Sequence, residues 1–283
     1  MRHTQPISAF SVDVEDWYQV SDFDAVIGRD EWARQDDRLA RSTDGILAVL
    51  ADAGVRATFF VLGWNAERHP ELVRRIAAAG HEIGSHGHHH RVVYELTPGA
   101  FRDDVVRSKA ILEDIVGEPI LGYRAPSLSI TRACEWALDV VLDAGFRYSS
   151  SILPAGSPER GFPGAPCGPH VVRERDGRAL VEFPLTVLEL PGGRALPVGG
   201  GGWLRALPSP VFRWAVRRVL ASGRPTVTYI HPWEIDPDHP RVPTAGRRGF
   251  SMHYVGLRGT EAKLRRLLRD VPFAPCRDVL ALA

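Results

Sequence analysis

Residues 55–85 read VRATFFVLGWNAERHPELVRRIAAAGHEIGS. VRATFFVLG (55–63) is an apolar run of strand length. HPELVRRIAAAG (69–80) then sets Pro70 at a helix start, Leu72, Val73 and Ile76 on one helical face, and Gly80 as a stop signal. HEIGS (81–85) returns to a strand. A strand, a helix and a second strand in so short a span predict a parallel pair joined by a helical crossover.

The same alternation extends in both directions. Upstream, AFSVDV (9–14) alternates as a strand does, and RSTDGILAVLADAG (41–54) predicts a helix capped by Ser42 and stopped by Gly54. Downstream come a helix over 97–117 with Thr97 as cap, a strand over 119–126, a helix over 131–145, and the FRYSSS segment. VEFPL (181–185), a helix over 209–223 and the strand PTVTYIH (225–231) complete the series. The expectation is an α/β fold built on a parallel sheet, open or closed into a barrel. The Pro- and Gly-rich stretches 154–180 and 197–208 read as long loops, and TEAKLRRLLRD (260–270) as a final amphipathic helix.

The chain has 283 residues, which suits one large domain over 1–283, and no repeat or linker divides it. Its net charge of +1 offers no global attraction to nucleic acid or anionic lipid. No signal-like segment and no run of about 18 apolar residues is present, so a cytoplasmic location is the expectation. Cys134, Cys167 and Cys276 form no CxxC pair and read as free thiols.

Polar residues gather where the strands end. Asp13, Glu15 and Asp16 close the first strand, GSHGHHH (84–90) the third, Arg124 the fourth and His231 the last. In a parallel α/β fold those ends share one side, where sites are built. His86 and His90, four apart, suit a shared cation; His86 with His89 is the competing pair. By strand parity Asp13 and Glu15 face one way and Asp16 the other, and an early turn would bring Asp16 inward instead.

FSVDVEDW, HEIGSHGHHH, GYRAPS and TYIHPWE, in that order, resemble the motifs of the polysaccharide deacetylase family, carbohydrate esterase family 4 or the NodB-homology group. DVEDW, VGGGGWLRALP, YIHPWEID and HYVGLRG further resemble its branch associated with exosortase and exopolysaccharide clusters. The resemblance implies a distorted (β/α) barrel of about seven strands over roughly 7–235, followed by a branch-specific extension over 236–283. It departs from the family in replacing the adjacent Asp-Asp pair by Asp-Val-Glu-Asp and in placing Ser127 where an aromatic follows the proline.

The resemblance also implies roles. Glu15, His86 and His90 would hold a divalent metal, Zn²⁺ or else Co²⁺, Ni²⁺ or Fe²⁺, with Asp16 the alternate to Glu15. Asp13 would be the base, Arg124 its orienting cation, and His231 the acid toward the leaving amine. The implied partner is an acetylated polysaccharide or its lipid-linked precursor, with no nucleic acid. Hydrolysis of a small amide or cyclic imide, and a catalytically silent carbohydrate-binding barrel, are the competing functions.

Overall fold

The computed structural model describes residues 7–157, 161–191, 194–242 and 252–282. Its main sheet contains β1 (Ser8–Val14), β2 (Thr58–Val61), β3 (Glu82–Ser85), β4 (Gly122–Tyr123), β5 (Tyr148–Ser149), β6 (His170–Arg175), β7 (Arg178–Glu182), β10 (Val227–Ile230) and β11 (Phe273–Ala274). The order is β10-β1-β2-β3-β4-β5-β7-β6, with β11 also pairing β1. Every neighbour from β10 to β7 is parallel, which gives seven strands, and β6 is antiparallel at the edge. The path therefore forms the incomplete barrel expected. A separate hairpin joins β8 (Val187–Leu190) to β9 (Arg194–Pro197).

Helices α1 (Leu39–Ala53), α2 (Gly63–Arg68), α3 (Pro70–Ala78), α4 (Pro98–Val116) and α5 (Ala137–Asp143) cross between the early strands. α6 (Gly201–Ala206) and α7 (Ser209–Leu220) lead into β10, and α8 (Thr260–Asp270) and α9 (Cys276–Val279) follow it. The two-residue period of β1 sorts its side chains. Phe10, Val12 and Val14 join the core shared with the helices, while Ala9 joins the inner cluster of Phe60, Tyr148, Phe183 and Cys276. Ser11 and Asp13 continue that inner row toward the carboxyl ends, so the barrel interior runs from apolar to polar along one strand. α9 closes the opposite end, at the start of the strands, where the Cys276 and Arg277 amides donate to Thr58 and to the buried Glu82.

Four sequence expectations change. The first helix begins at Leu39 instead of after Ser42, because the Asp16 carboxylate reaches across to accept the Arg38 amide at 2.7 Å. A distant side chain thus supplies the cap that local sequence assigned to Ser42, which lies buried within the helix. The supposed loop 154–180 contains β6 and the start of β7, joined by Asp176-Gly177, both at positive φ. That dipeptide is a hairpin signal outweighed by its Pro-rich surroundings. The supposed loop 197–208 contains α6. Its glycines serve close approach: a Cβ on Gly200 would meet the Tyr229 ring, and one on Gly201 would collide with both oxygens of Glu234. The region 236–283, expected to be an extension, returns β11 to the sheet beside β1; its residues 243–251 and 283 lie outside the described residues.

Candidate active site

Arg124 leaves the end of β4 and enters the barrel, where it is fully buried. Its Nη1 donates to Asp13 Oδ1 at 2.7 Å and to Ser11 Oγ at 2.8 Å, while Nε and Nη2 donate to the carbonyl and hydroxyl of Ser150. The guanidinium also lies 4.2 Å from the Phe60 ring centroid. A cation so far from water persists only when paired and hydrogen-bonded. The Asp13 carboxylate is held in one orientation as a result.

Beside it, Glu15 Oε1 lies 2.9 Å from His86 Nε2 and 3.0 Å from His90 Nε2, all three residues being buried. The tautomer of His86 is fixed by its other nitrogen. Nδ1 sits 2.8 Å from the Arg124 carbonyl, which can only accept, so Nδ1 carries the proton. In the neutral ring Nε2 then presents a lone pair to a carboxylate oxygen. Two acceptors face each other across hydrogen-bond distance, and something positive must lie between them: a proton or a metal ion. Burial pushes the Glu15 pKa up, but the neighbouring charges of His90 and His231 and the hydrogen bonds from His86 and His90 hold it well below the usual range. This donor set of one carboxylate and two imidazoles fits a divalent cation.

The histidine loop is clamped from both sides. Asp104 on α4 accepts the backbone amides of His88 at 2.7 Å and His89 at 3.2 Å, and Arg29 donates to the carbonyls of His89 and His90. His90 sits at φ 50°, a conformation unfavourable for a side chain with a Cβ. The clamp supplies the opposing force.

His231 approaches from β10, with Nε2 4.0 Å from Glu15 Oε1. Its Nδ1 donates to Glu234 Oε1 at 2.8 Å, and Glu234 Oε2 accepts Arg205 Nε at 2.5 Å. Arg205 continues to the backbone carbonyls of Met252, His253 and Val255. Burial alone would discharge His231, yet the carboxylates of Glu15, Glu234 and Asp13 push its pKa up to about 9.

A pocket of about 220 Å³ opens over these groups, lined by Asp13, Glu15, His90, Tyr229 and His231, with Ser21, Asp22, Ser127 and Leu128 among its walls. A 2.6 Å hydrogen bond joins the Ser21 and Ser127 hydroxyls. Asp16 does not reach this cluster. Both of its oxygens accept backbone amides, from Trp17 and Arg38, and burial pushes its pKa up to about 7. His89 points away and is half-exposed. Trp203, Trp233 and Tyr254, candidates for stacking on sugar rings, do not line the pocket. Trp233 is packed 3.9 Å from His253 in an aromatic cluster.

Sequence reasoning missed Arg205, Asp104 and Arg29 and left Glu234 open. Arg205 stood in a stretch read as loop, and nothing local marks the other two, whose partners lie 60 and 15 residues away along the chain. The serine run of FRYSSS was visible, and Ser150 within it is the residue that holds Arg124.

The fold and site define an incomplete parallel barrel with a carboxylate–imidazole centre at its strand ends. A solved structure of a Mycobacterium smegmatis protein assigned as a polysaccharide deacetylase superposes with a TM-score of 0.67 at 20% identity, covering 99% of this chain and 91% of that one. Residues 33–149 match the family described as polysaccharide deacetylase. Residues 150–281 match a domain of unknown function, DUF3473. The boundary between the two matches does not divide the sheet, since β5 from the first pairs directly with β7 from the second. A peptidoglycan-N-acetylglucosamine deacetylase of Bacillus cereus is 39% identical over 75 residues, 26% of this chain and 27% of the relative. A chitooligosaccharide deacetylase of Rhizobium leguminosarum bv. trifolii is 57% identical over 44 residues, 16% and 20% of the two chains. The chain spans only about a quarter to two fifths of the length of the curated relatives first matched.

Proposed function

We propose that this protein is a metal-dependent hydrolase that removes N-acetyl or O-acetyl groups from a polysaccharide or its lipid-linked precursor, in exopolysaccharide synthesis. The observation that carries the reading is Glu15 Oε1 facing two imidazole nitrogens beside a buried Asp13–Arg124 pair. Zn²⁺ is the metal proposed, held by Glu15, His86 and His90. When bound, it supplies Lewis acidity toward water and the acetyl carbonyl.

The chain's own groups do the rest. Asp13 takes the proton of the attacking water, because Arg124 engages Oδ1 and leaves the second oxygen free. His231, its Nδ1 held by Glu234, gives a proton to the departing amine or alcohol. Glu234 fixes Nδ1 and so turns Nε2 toward the pocket. The Ser21–Ser127 bridge at the rim limits how a sugar enters.

The test is acetate release from chitin oligosaccharides and from peptidoglycan fragments by Zn²⁺-loaded protein, with metal content measured by mass spectrometry. Release that requires the metal supports the reading. Metal binding without release from any acetylated glycan points to a small amide or cyclic imide, and no metal uptake at all sinks the mechanism.

Two smaller effects follow. Asp104→Ala leaves two loop amides without their acceptor, and metal affinity is expected to fall about 10- to 100-fold while the fold persists. A chelator competition titration reads this directly. Gly201→Ala drives a methyl group into Glu234, so kcat is expected to drop roughly tenfold with KM little changed. Adding Glu234→Asp, whose shorter carboxylate makes room, should recover part of that loss.

A further inference from the structure

We infer that the outward face of α7, together with the β8–β9 hairpin, docks on an anionic phospholipid surface. The inference is independent of the catalytic reading above. It starts from charge segregation that the overall +1 conceals: residues 1–200 carry 21 Lys and Arg against 28 Asp and Glu, whereas residues 201–283 carry 14 against 6. The basic part of the chain includes α7 and α8.

α7 buries Phe212, Ala215, Val216, Val219 and Leu220. Val211, Trp214 and Arg218, spaced by three and four, form the opposite stripe and face solvent. Trp214 is 58% exposed, an unusual position for the largest apolar side chain. Arg217 lies beside the stripe, and neither it nor Arg218 pairs with a carboxylate among the described residues. Arg266 and Arg269 of α8, also exposed, line a groove against α1 with Asp52 and stand outside this rim.

The hairpin extends the apolar strip. Its Leu188 and Val198 pack on Ala215 and Val219 of α7. Leu190 shares a face with Leu188, and Leu196 with Val198, by the two-residue period. Both leucines run beyond the cover of the helix and are exposed. An exposed tryptophan and aliphatic side chains rimmed by arginines match a bilayer interface, where the ring sits at headgroup level and the cations meet lipid phosphates. A protein partner would have to supply a matching acidic rim, whereas an anionic leaflet presents that charge at every point.

The experiment is co-sedimentation of the full chain with phosphatidylcholine vesicles, with and without about one third phosphatidylglycerol. Binding to the anionic vesicles alone, weakening as salt rises, is expected. Arg217→Gln with Arg218→Gln should lower the partition coefficient about thirtyfold, at roughly fivefold per cation near the surface. Trp214→Ser should lower it as well, with an unchanged circular dichroism spectrum. No sedimentation with anionic vesicles, or sedimentation indifferent to these variants, would overturn the inference. So would a concentration-dependent dimer that Trp214→Ser abolishes, which would assign the face to a second copy of the chain.

Discussion

Glu15→Ala is expected to empty the metal centre, and Asp16→Ala to leave it filled. Glu15 Oε1 is the point on which His86 and His90 converge, so its loss removes one of three ligands and the negative charge that favours a cation between the imidazoles. Bound metal should fall from about one ion per chain to background. Asp16, one residue on, contributes differently. Its two oxygens cap the Trp17 and Arg38 amides, and removing them leaves buried donors unsatisfied, a cost of about 1–3 kcal/mol in stability. Mass spectrometry of the metal and urea unfolding of the two variants separate these effects. The pH dependence gives a second check. With a folded pKa of about 7 against roughly 3.9 unfolded, Asp16 binds more proton in the folded state across that window. Its contribution is therefore lost as pH rises from about 4 to 7, and Asp16→Ala should flatten that part of the profile. Metal lost from Asp16→Ala and retained in Glu15→Ala would reverse the assignment.

Much of this arrangement was legible because it rests on local periodicity. The alternation of strand and helix over 55–85 specifies parallel pairing, and parallel pairing collects the strand ends on one side. Asp13, Arg124, His231 and the histidine run 86–90 therefore stood out by their positions at strand ends, while the choice of His90 over His89 came with the family resemblance. Strand parity left Glu15 and Asp16 both open: β1 ends at Val14, the condition expected to bring Asp16 inward, yet Glu15 is the residue that turns toward the imidazoles while Asp16 accepts the Trp17 and Arg38 amides. The Thr97 cap on α4 is local too, and its side chain accepts the Ala100 amide as the sequence predicts.

What stayed hidden depends on contacts distant in sequence. Asp16 caps a helix 22 residues away, which no capping pattern records. Arg205 reaches Glu234 only because Gly201 yields the space, and four glycines in a row read as loop rather than as room for other side chains. The second half of the chain was hardest for the same reason. Its short α6 and the β6–β7 hairpin are shaped by what they pack against, with little amphipathic signal of their own.

Arg124→Met and Asp13→Asn should fail in different ways, and their combination should show which failure is chemical. Arg124 carries four hydrogen bonds and is wholly buried, so its removal strands the Asp13 carboxylate in the barrel interior and is expected to cost about 3–5 kcal/mol of stability. Asp13→Asn keeps an oxygen for the guanidinium to donate to and should destabilise less. It removes the base, however, and turnover should fall about 10²- to 10⁴-fold with metal still bound. The double variant contains neither buried charge. It should therefore be more stable than Arg124→Met alone, because a pair removed together leaves no unpaired ion behind, while turnover stays as low as in Asp13→Asn. Thermal unfolding and acetate release measured on the three proteins decide the matter. Turnover within about tenfold of the parent in Asp13→Asn would remove Asp13 from the chemistry and leave it the structural partner of Arg124. The expected outcome instead separates the two roles: Arg124 sets where the carboxylate stands, and the carboxylate moves the proton.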